Sequence, residues 1–362
     1  MNSNDIEMVS VTKTFGSNLV VNNIDLAIPT GEFVSILGPS GCGKTTTLNM
    51  IAGFAQPSSG EIRIRGKSQR GVPPEKRGIG MVFQNYALFP HMTIAENVGF
   101  GLKMKKRPAG ETRDAVQNAL RRVHLDGFEN RYPKELSGGQ QQRTALARAI
   151  APEPSLLLLD EPLSNLDLKL REAMRVELKD IQEQLAMTFV YVTHDQDEAM
   201  AMSDRIVVMQ DGVIAQTGRP AEIYEHPRSS FVADFIGKSN LLPISDIRQI
   251  ENDWFVSLGT KGLTLSVFIP DGMSGHDARY CCIRPEAVRL AVTDEGIPPL
   301  PNRLEGTLSR IVNLGAYFDC FITLKDGTVL KSLVRSTRLP GLAVNQAVFL
   351  SIDPDAVQLL SR

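Results

Sequence analysis

The nine residues Gly38-Pro39-Ser40-Gly41-Cys42-Gly43-Lys44-Thr45-Thr46 fill the spacing G-x-x-x-x-G-K-T directly after the apolar run 33–37. Residues of these types at this spacing suit a polyphosphate. Gly41 and Gly43 let the backbone wrap closely around an anion, the following helix offers unpaired N–H groups, and Lys44 supplies charge to the outer phosphates. Thr45 is placed to ligate Mg2+. The alternative is a Gly-rich turn that only caps a helix. It requires the pattern to arise by chance, on the order of one chain in a hundred at ordinary glycine frequency, before the strand-and-helix context is counted. The loop indicates a nucleotide-binding protein without naming its output, since GTPases, kinases and helicases share it.

The run 156–159 is four leucines ending in Asp160 and Glu161, where a parallel sheet presents its ligand-binding groups. The two acids can divide the work: Asp160 organises Mg2+ and Glu161 polarises a water attacking the γ-phosphate. In isolation the pair is equally a solvated strand end with a helix-capping acid. Leu136-Ser137-Gly138-Gly139-Gln140-Gln141-Gln142-Arg143 precedes a helical stretch and exposes backbone N–H groups beside a hydroxyl, which makes a second anion site. Both sites could serve one nucleotide, or each could be offered to a different partner; spacing alone leaves both open.

These groups need a scaffold, and the chain supplies an α/β one. Short strands at 33–37, 156–159 and 189–192 alternate with helical stretches and Gly-rich turns. The last two strands are continuously apolar, as expected for central strands covered on both faces. The charged stretch 103–133 reads as an inserted helical lobe with Ala115, Leu120, Val123 and Leu125 on its apolar face. A helix is expected over Leu168–Leu185, with Leu170, Met174, Leu178, Ile181 and Leu185 turned to the core. Beyond residue 238 the texture changes to short segments at 254–258, 264–268 and 316–323 between Gly, Asp and Pro turns, which suggests a small β-barrel or sandwich.

At 362 residues two domains are expected. A formal charge of −2 gives no global attraction to nucleic acid or anionic membrane. The region 241–362 holds 12 basic and 13 acidic residues with few aromatics, so a nucleic-acid-binding barrel is disfavoured. No apolar run reaches the roughly 18 residues that span a bilayer, and the N-terminal residues lack the pattern of a secretion signal. The four cysteines, Cys42, Cys281, Cys282 and Cys320, match no zinc spacing and suit a reducing compartment. The chain is therefore expected in the cytoplasm.

The run LSGGQQQR, lying between the phosphate loop and LLLLDEP, resembles the signature motif of ATP-binding-cassette (ABC) ATPases, and the order of elements matches over nearly the whole chain. The resemblance implies an ABC ATPase domain over 1–238, with a helical subdomain at about 90–150, followed over 239–362 by a small all-β, OB-like domain of the TOBE type that adds dimer contacts or regulation. It implies ATP and Mg2+ as ligands, and a head-to-tail homodimer in which the phosphate loop of one copy and Ser137, Gly138, Gly139 and Gln140 of the other enclose each nucleotide. Phe15 resembles the aromatic that stacks on adenine, with a core Phe as the alternative. Gln84, in MVFQNYALFPHMT, resembles the glutamine that touches Mg2+ and senses the membrane subunit; it is followed by Tyr86 and Phe89, expected to be exposed. Ser164-Asn165-Leu166-Asp167 resembles the loop through which subunits communicate, Asn165 standing where many relatives carry Ala. His194 resembles the switch histidine that contacts the γ-phosphate and holds Glu161 productive.

One phosphate loop, no membrane span and no long heptad region leave a separate transport ATPase, rather than a fused exporter, a tandem cassette or a DNA-repair ATPase. The run Ile283-Arg284-Pro285-Glu286-Ala287-Val288 and Glu305-Gly306-Thr307 resemble the β domain of solute-importer ATPases. With SDRIVVMQDGVIAQTGRPAEIYEHP the likeness is to polyamine (spermidine and putrescine) importers, with ferric-ion, phosphonate and sugar importers as competitors. Implied partners are two transmembrane permease subunits and, indirectly, an extracytoplasmic solute-binding protein, with the chain on the inner face of the membrane. The reading from a different class is a soluble regulatory or nucleic-acid-associated ATPase.

Overall fold

The computed structural model describes residues 4–251, 253–259, 263–269, 277–296, 298, 300–337 and 342–361, in two compact units, Met1–Ala221 and Glu222–Arg362. In chain order the first unit holds β1 (Asn4–Phe15), β2 (Asn18–Pro29), β3 (Phe33–Leu37), α1 (Lys44–Ala52), β4 (Ser59–Ile64), β5 (Lys67–Ser68), β6 (Gly80–Val82), α2 (Ile94–Met104), α3 (Ala109–Arg122) and α4 (Gly138–Ile150). There follow β7 (Leu156–Asp160), α5 (Leu168–Leu185), β8 (Thr188–Thr193), α6 (Gln196–Met202), β9 (Arg205–Gln210) and β10 (Val213–Gly218).

Continuous apolar strands are what a sheet with two covered faces requires, and β7 shows why. Leu156 and Leu158 enter one core with β1, β2, β4 and α1, while Leu157 and Leu159 enter another with α2 to α5. Each fully buried leucine contributes roughly 1.5–3 kcal/mol, so neither face tolerates a polar residue. The sheet order is β10-β9-β3-β8-β7-β6, parallel except for β10 against β9. The expected strands at 33–37, 156–159 and 189–192 therefore lie side by side. A second, antiparallel sheet, β2-β1-β4-β5, covers the first core.

Helix starts are written in capping residues. Thr93 and Glu96 form a reciprocal cap on α2, Ser137 and Gln140 on α4, and Asp167 accepts from Leu170 N–H at the start of α5. α5 has the expected bounds; Met174, Leu178 and Ile181 are buried, and Leu170 and Leu185 partly so. Leu120, Val123 and Leu125 are buried in the same core, with Ala115 at its margin.

After α7 (Pro220–Glu225) and α8 (Ser230–Phe235) come β11 (Asn240–Ile250), β12 (Asp253–Leu258), β13 (Leu263–Val267), β14 (Tyr280–Ile283), β15 (Arg289–Ala291), β16 (Asn302–Asn313), β17 (Tyr317–Leu324), β18 (Val329–Arg335), β19 (Ala347–Ile352) and β20 (Val357–Leu360). They form two five-stranded antiparallel sheets, β13-β12-β11-β14-β20 and β15-β19-β16-β17-β18, around one apolar core. This is the expected strand-rich domain. Within it Arg284 is nearly buried and donates to the carbonyls of Tyr224, Ala233, Ile236 and Lys238. No helix among the described residues is long and apolar enough to cross a membrane.

Candidate active site

The phosphate loop runs from the end of β3 into α1. Gly38 is required by close approach: a Cβ there would stand 2.3 Å from the Met209 carbonyl oxygen. Gly43 adopts φ +103° and would bring a Cβ within 2.8 Å of the Val20 carbonyl oxygen, a combination open to glycine alone. Lys44 is 6% exposed, and its Nζ donates to the carbonyls of Gly38 at 2.8 Å and Pro39 at 3.0 Å. Its charge is thus fixed in the concavity of the loop. Ser40, Gly41 and Thr45 face solvent, Pro39 and Thr46 are half-buried, and the Cys42 side chain is buried. Burial pushes the Cys42 thiol up, so Cys42 presents its backbone rather than a thiolate.

β7 delivers Asp160 beside this loop, with Thr45 Oγ1 donating to Asp160 Oδ1 at 3.4 Å. Burial, and then the adjacent Glu161, push the Asp160 carboxyl above the ordinary aspartate range, against the pull of Thr45 and Lys44. A raised carboxyl next to a hydroxyl is an oxygen pair that gains from a hard cation, so the donor chemistry of Thr45, Asp160 and the nearby Gln84 amide fits Mg2+.

Glu161 leaves the strand in a left-handed conformation, φ +43°, tied by its N–H to the Val192 carbonyl at 3.0 Å. The turn aims its carboxylate at the expected His194 and at Gln84, whose contact with Glu161 the sequence did not indicate. His194 Nδ1 stands 3.2 Å from Glu161 Oε2, and Gln84 Nε2 comes within 3.5 Å of the same oxygen. His194 is itself exposed, but its neighbours are anchored. Thr193 Oγ1 and Tyr191 Oη both donate to the buried Glu198 carboxylate, at 2.7 and 2.6 Å. Asp195 caps α6 and pairs with Arg171 and Arg175.

The structure thus gathers Lys44, Thr45, Gln84, Asp160, Glu161 and His194. Ser137, Gly138, Gly139 and Gln140 are placed elsewhere: among the described residues none hydrogen-bonds the phosphate loop. Ser137 Oγ accepts from Gln140 N–H, Gln140 Oε1 accepts from Ser137 N–H, and the glycines pack under Leu166 and Leu170. Phe15, at the end of β1, is 54% exposed, with Lys13 Nζ over its ring at 4.7 Å from the centroid, so it is an exposed ring and not a core Phe.

One expectation is corrected. Tyr86 is buried at 7% exposure and Phe89 half-buried, whereas Phe83 is the exposed ring of this segment. The reason is backbone: Tyr86 and Ala87 both take positive φ, +58° and +49°, and this turn sends the Tyr86 ring into the helical core. Two contacts there had no signal in local sequence. Arg148 of α4 donates to the carbonyls of Tyr86 at 2.6 Å and Ala87 at 2.5 Å, and Asn165 Nδ2 donates to the Gln84 carbonyl at 2.9 Å. Asn165 stood out only as a departure from the common Ala.

Comparison with known proteins bears on the family and the fold. The sequence profile of the family described as "ABC transporter" matches residues 21–164, and that of the "TOBE domain" matches 281–360. A spermidine/putrescine import ATP-binding protein PotA of Nitratidesulfovibrio vulgaris is 48% identical over 90% of this chain and 88% of its own length. That of Thermobifida fusca is 52% identical over 86% and 81%. Among solved structures, cbiO1 from Clostridium perfringens, part of the ABC transporter complex cbiONQ, superposes with TM-score 0.58 at 30% identity, covering 61% of this chain and 90% of that one. A dimeric bacterial ABC transporter cassette, MJ0796, superposes with TM-score 0.53 at 37% identity, covering 59% and 98%. The same cassette is also known as a dimer in a post-hydrolysis state bound to ADP and Pi.

Proposed function

The chain belongs to the ABC transporter ATP-binding proteins, and from that premise we propose that it drives polyamine import, hydrolysing ATP as one of two copies beneath a pair of permease subunits. The observation that carries the polyamine reading is 48–52% identity, over most of both chains, to proteins named for spermidine and putrescine import.

In this reading Lys44 and the backbone N–H groups of 38–46 hold the β- and γ-phosphates, and Phe15 offers its face to adenine. Thr45, Gln84 and Asp160 would hold Mg2+, which when bound neutralises charge on the β- and γ-phosphate oxygens. Glu161 orients and polarises the attacking water. His194 and Gln84 both hold the Glu161 carboxylate, through the same oxygen, Oε2. Ser137, Gly138, Gly139 and Gln140, which make no hydrogen bond to their own phosphate loop among the described residues, are offered to the nucleotide of a second copy. A nucleotide touched by both copies favours the closed pair, as any ligand-driven shift requires. The segment 86–89 and the helical subdomain would carry that closure to the permeases on the inner face of the membrane.

The test is ATPase activity of the full-length chain reconstituted with its co-purifying membrane subunits and solute-binding protein. Stimulation by spermidine or putrescine, but not by ferric ion, phosphonates or sugars, is the expected result. Stimulation by one of the other solutes would overturn the polyamine assignment and leave the ATPase intact.

A further inference from the structure

Gln84 is held at both ends by the same two-residue step. Its side-chain Nε2 meets Ser164 Oγ at 3.3 Å, and its backbone carbonyl accepts from Asn165 Nδ2 at 2.9 Å. Asn165 also reaches Asn85 Oδ1 at 3.4 Å. Ser164 in turn donates through Oγ to the carbonyl of Glu161 at 2.9 Å. No strand or helix ladder fixes Gln84, which lies between the end of β6 and the two left-handed residues Tyr86 and Ala87. Downstream the segment is clasped by Arg148. Upstream, among the described residues, the only side chain that donates to its backbone is Asn165.

We propose that Asn165 is a positioning residue for hydrolysis, fixing the backbone of Gln84 so that its amide stays beside Glu161. The inference rests on the hydrolytic reading of Glu161. Asn165 is exposed, so its removal leaves the core intact. An alanine lacks the donor, whereas an aspartate keeps the size but sets a carboxylate against a carbonyl that needs an N–H. Because phosphoryl transfer depends on position, displacing Gln84 should cost roughly 10- to 100-fold in kcat.

The experiment is steady-state ATPase kinetics of the full-length protein as wild type, Asn165→Ala, Asn165→Asp, Gln84→Ala, the double variant Gln84→Ala/Asn165→Ala, and Glu161→Gln, alongside ATP affinity by fluorescent-nucleotide titration. Both Asn165 variants should lose kcat with ATP affinity and Tm unchanged. The double variant should be no slower than Gln84→Ala alone, since Asn165 has nothing left to place. Wild-type kcat in Asn165→Asp, an equal loss of kcat and affinity, or additive losses in the double variant would each overturn the proposal. Glu161→Gln separates the two readings: if it turns over like wild type, the hydrolytic assignment fails, independently of Asn165.

Discussion

His194 Nδ1 lies 3.2 Å from Glu161 Oε2, on the oxygen that Gln84 Nε2 also approaches, so two nitrogens converge on one oxygen of the carboxylate. In the proposed reading Glu161 Oε1 is the oxygen that acts on a water. The left-handed backbone at Glu161 sets this geometry, at a cost of roughly 1–2 kcal/mol, and the fold holds it through the Val192 carbonyl.

Glu161→Gln keeps the size and the neighbours and removes the basic oxygen. Turnover should fall about 100- to 10,000-fold, the usual worth of a positioned base, while ATP binding persists and the protein accumulates as a closed dimer. Single-turnover ATPase with size-exclusion chromatography in ATP checks both parts. Rapid turnover in this variant would remove Glu161 from the chemistry.

His194→Ala should slow hydrolysis through the same oxygen without loss of fold, because the packing of this turn rests on Thr193 and Asp195. Combined with Glu161→Gln it should add little, since the residue it holds has already lost its base. Additive losses would place His194 on the phosphate independently of Glu161.

Lys44→Ala should weaken ATP binding by roughly 10- to 100-fold, corresponding to the loss of charge-assisted hydrogen bonds worth about 1.5–3 kcal/mol. Nucleotide titration reads the affinity and Tm without nucleotide reads the fold. An affinity within twofold of wild type would move the phosphate site away from this loop.

Arg77 holds the far end of the helix that this loop opens. It is 6% exposed and donates to the carbonyls of Met50 and Ile51, both at 2.8 Å, in the last turn of α1, and to those of Val72 and Gln69. A cation there satisfies orphan carbonyls and complements the helix dipole. Arg77→Ala strands several buried acceptors at about 1–3 kcal/mol each, so a loss of about 3 kcal/mol or more is expected in urea unfolding. Arg77→Lys, unable to fork, should recover only part of it.

Where sequence was informative, a period spoke for the fold. The leucines of β7 have no polar member because both faces are covered, and the apolar steps of α5 marked the extent of that helix and its core face. The phosphate loop and the carboxylates were legible because each motif carries its own geometry. Tyr86 was not, because its burial depends on two positive φ angles that neither Tyr nor Ala announces. Arg148, Asn165 and Arg77 act on carbonyls 61, 81 and 27 positions away. Such pairings arise only when the sheet has brought β6, β7 and α4 together, and no local pattern encodes them.

In the C-terminal unit Tyr224 Oη donates to Glu286 Oε1 at 2.5 Å, under the Arg284 guanidinium, whose Cζ is 4.2 Å from the ring centroid. Burial, with the Glu286 hydrogen bond and charge, pushes the Tyr224 phenol up from 10.0 to about 12. A group raised in the folded state contributes stability that is full below its unfolded value and lost as pH climbs through the folded one, here between about 10 and about 12. Above that range a phenolate would face the Glu286 carboxylate. Tyr224→Phe forfeits the hydrogen bond but has no proton to lose. Urea unfolding of the full-length protein, followed by Trp254, the single tryptophan, which sits in β12 of this unit, should show wild type ahead at pH 9 and the gap closing as pH rises past 10. A gap that stays constant to pH 12 would mean that the Tyr224 proton does not couple to the stability of this domain.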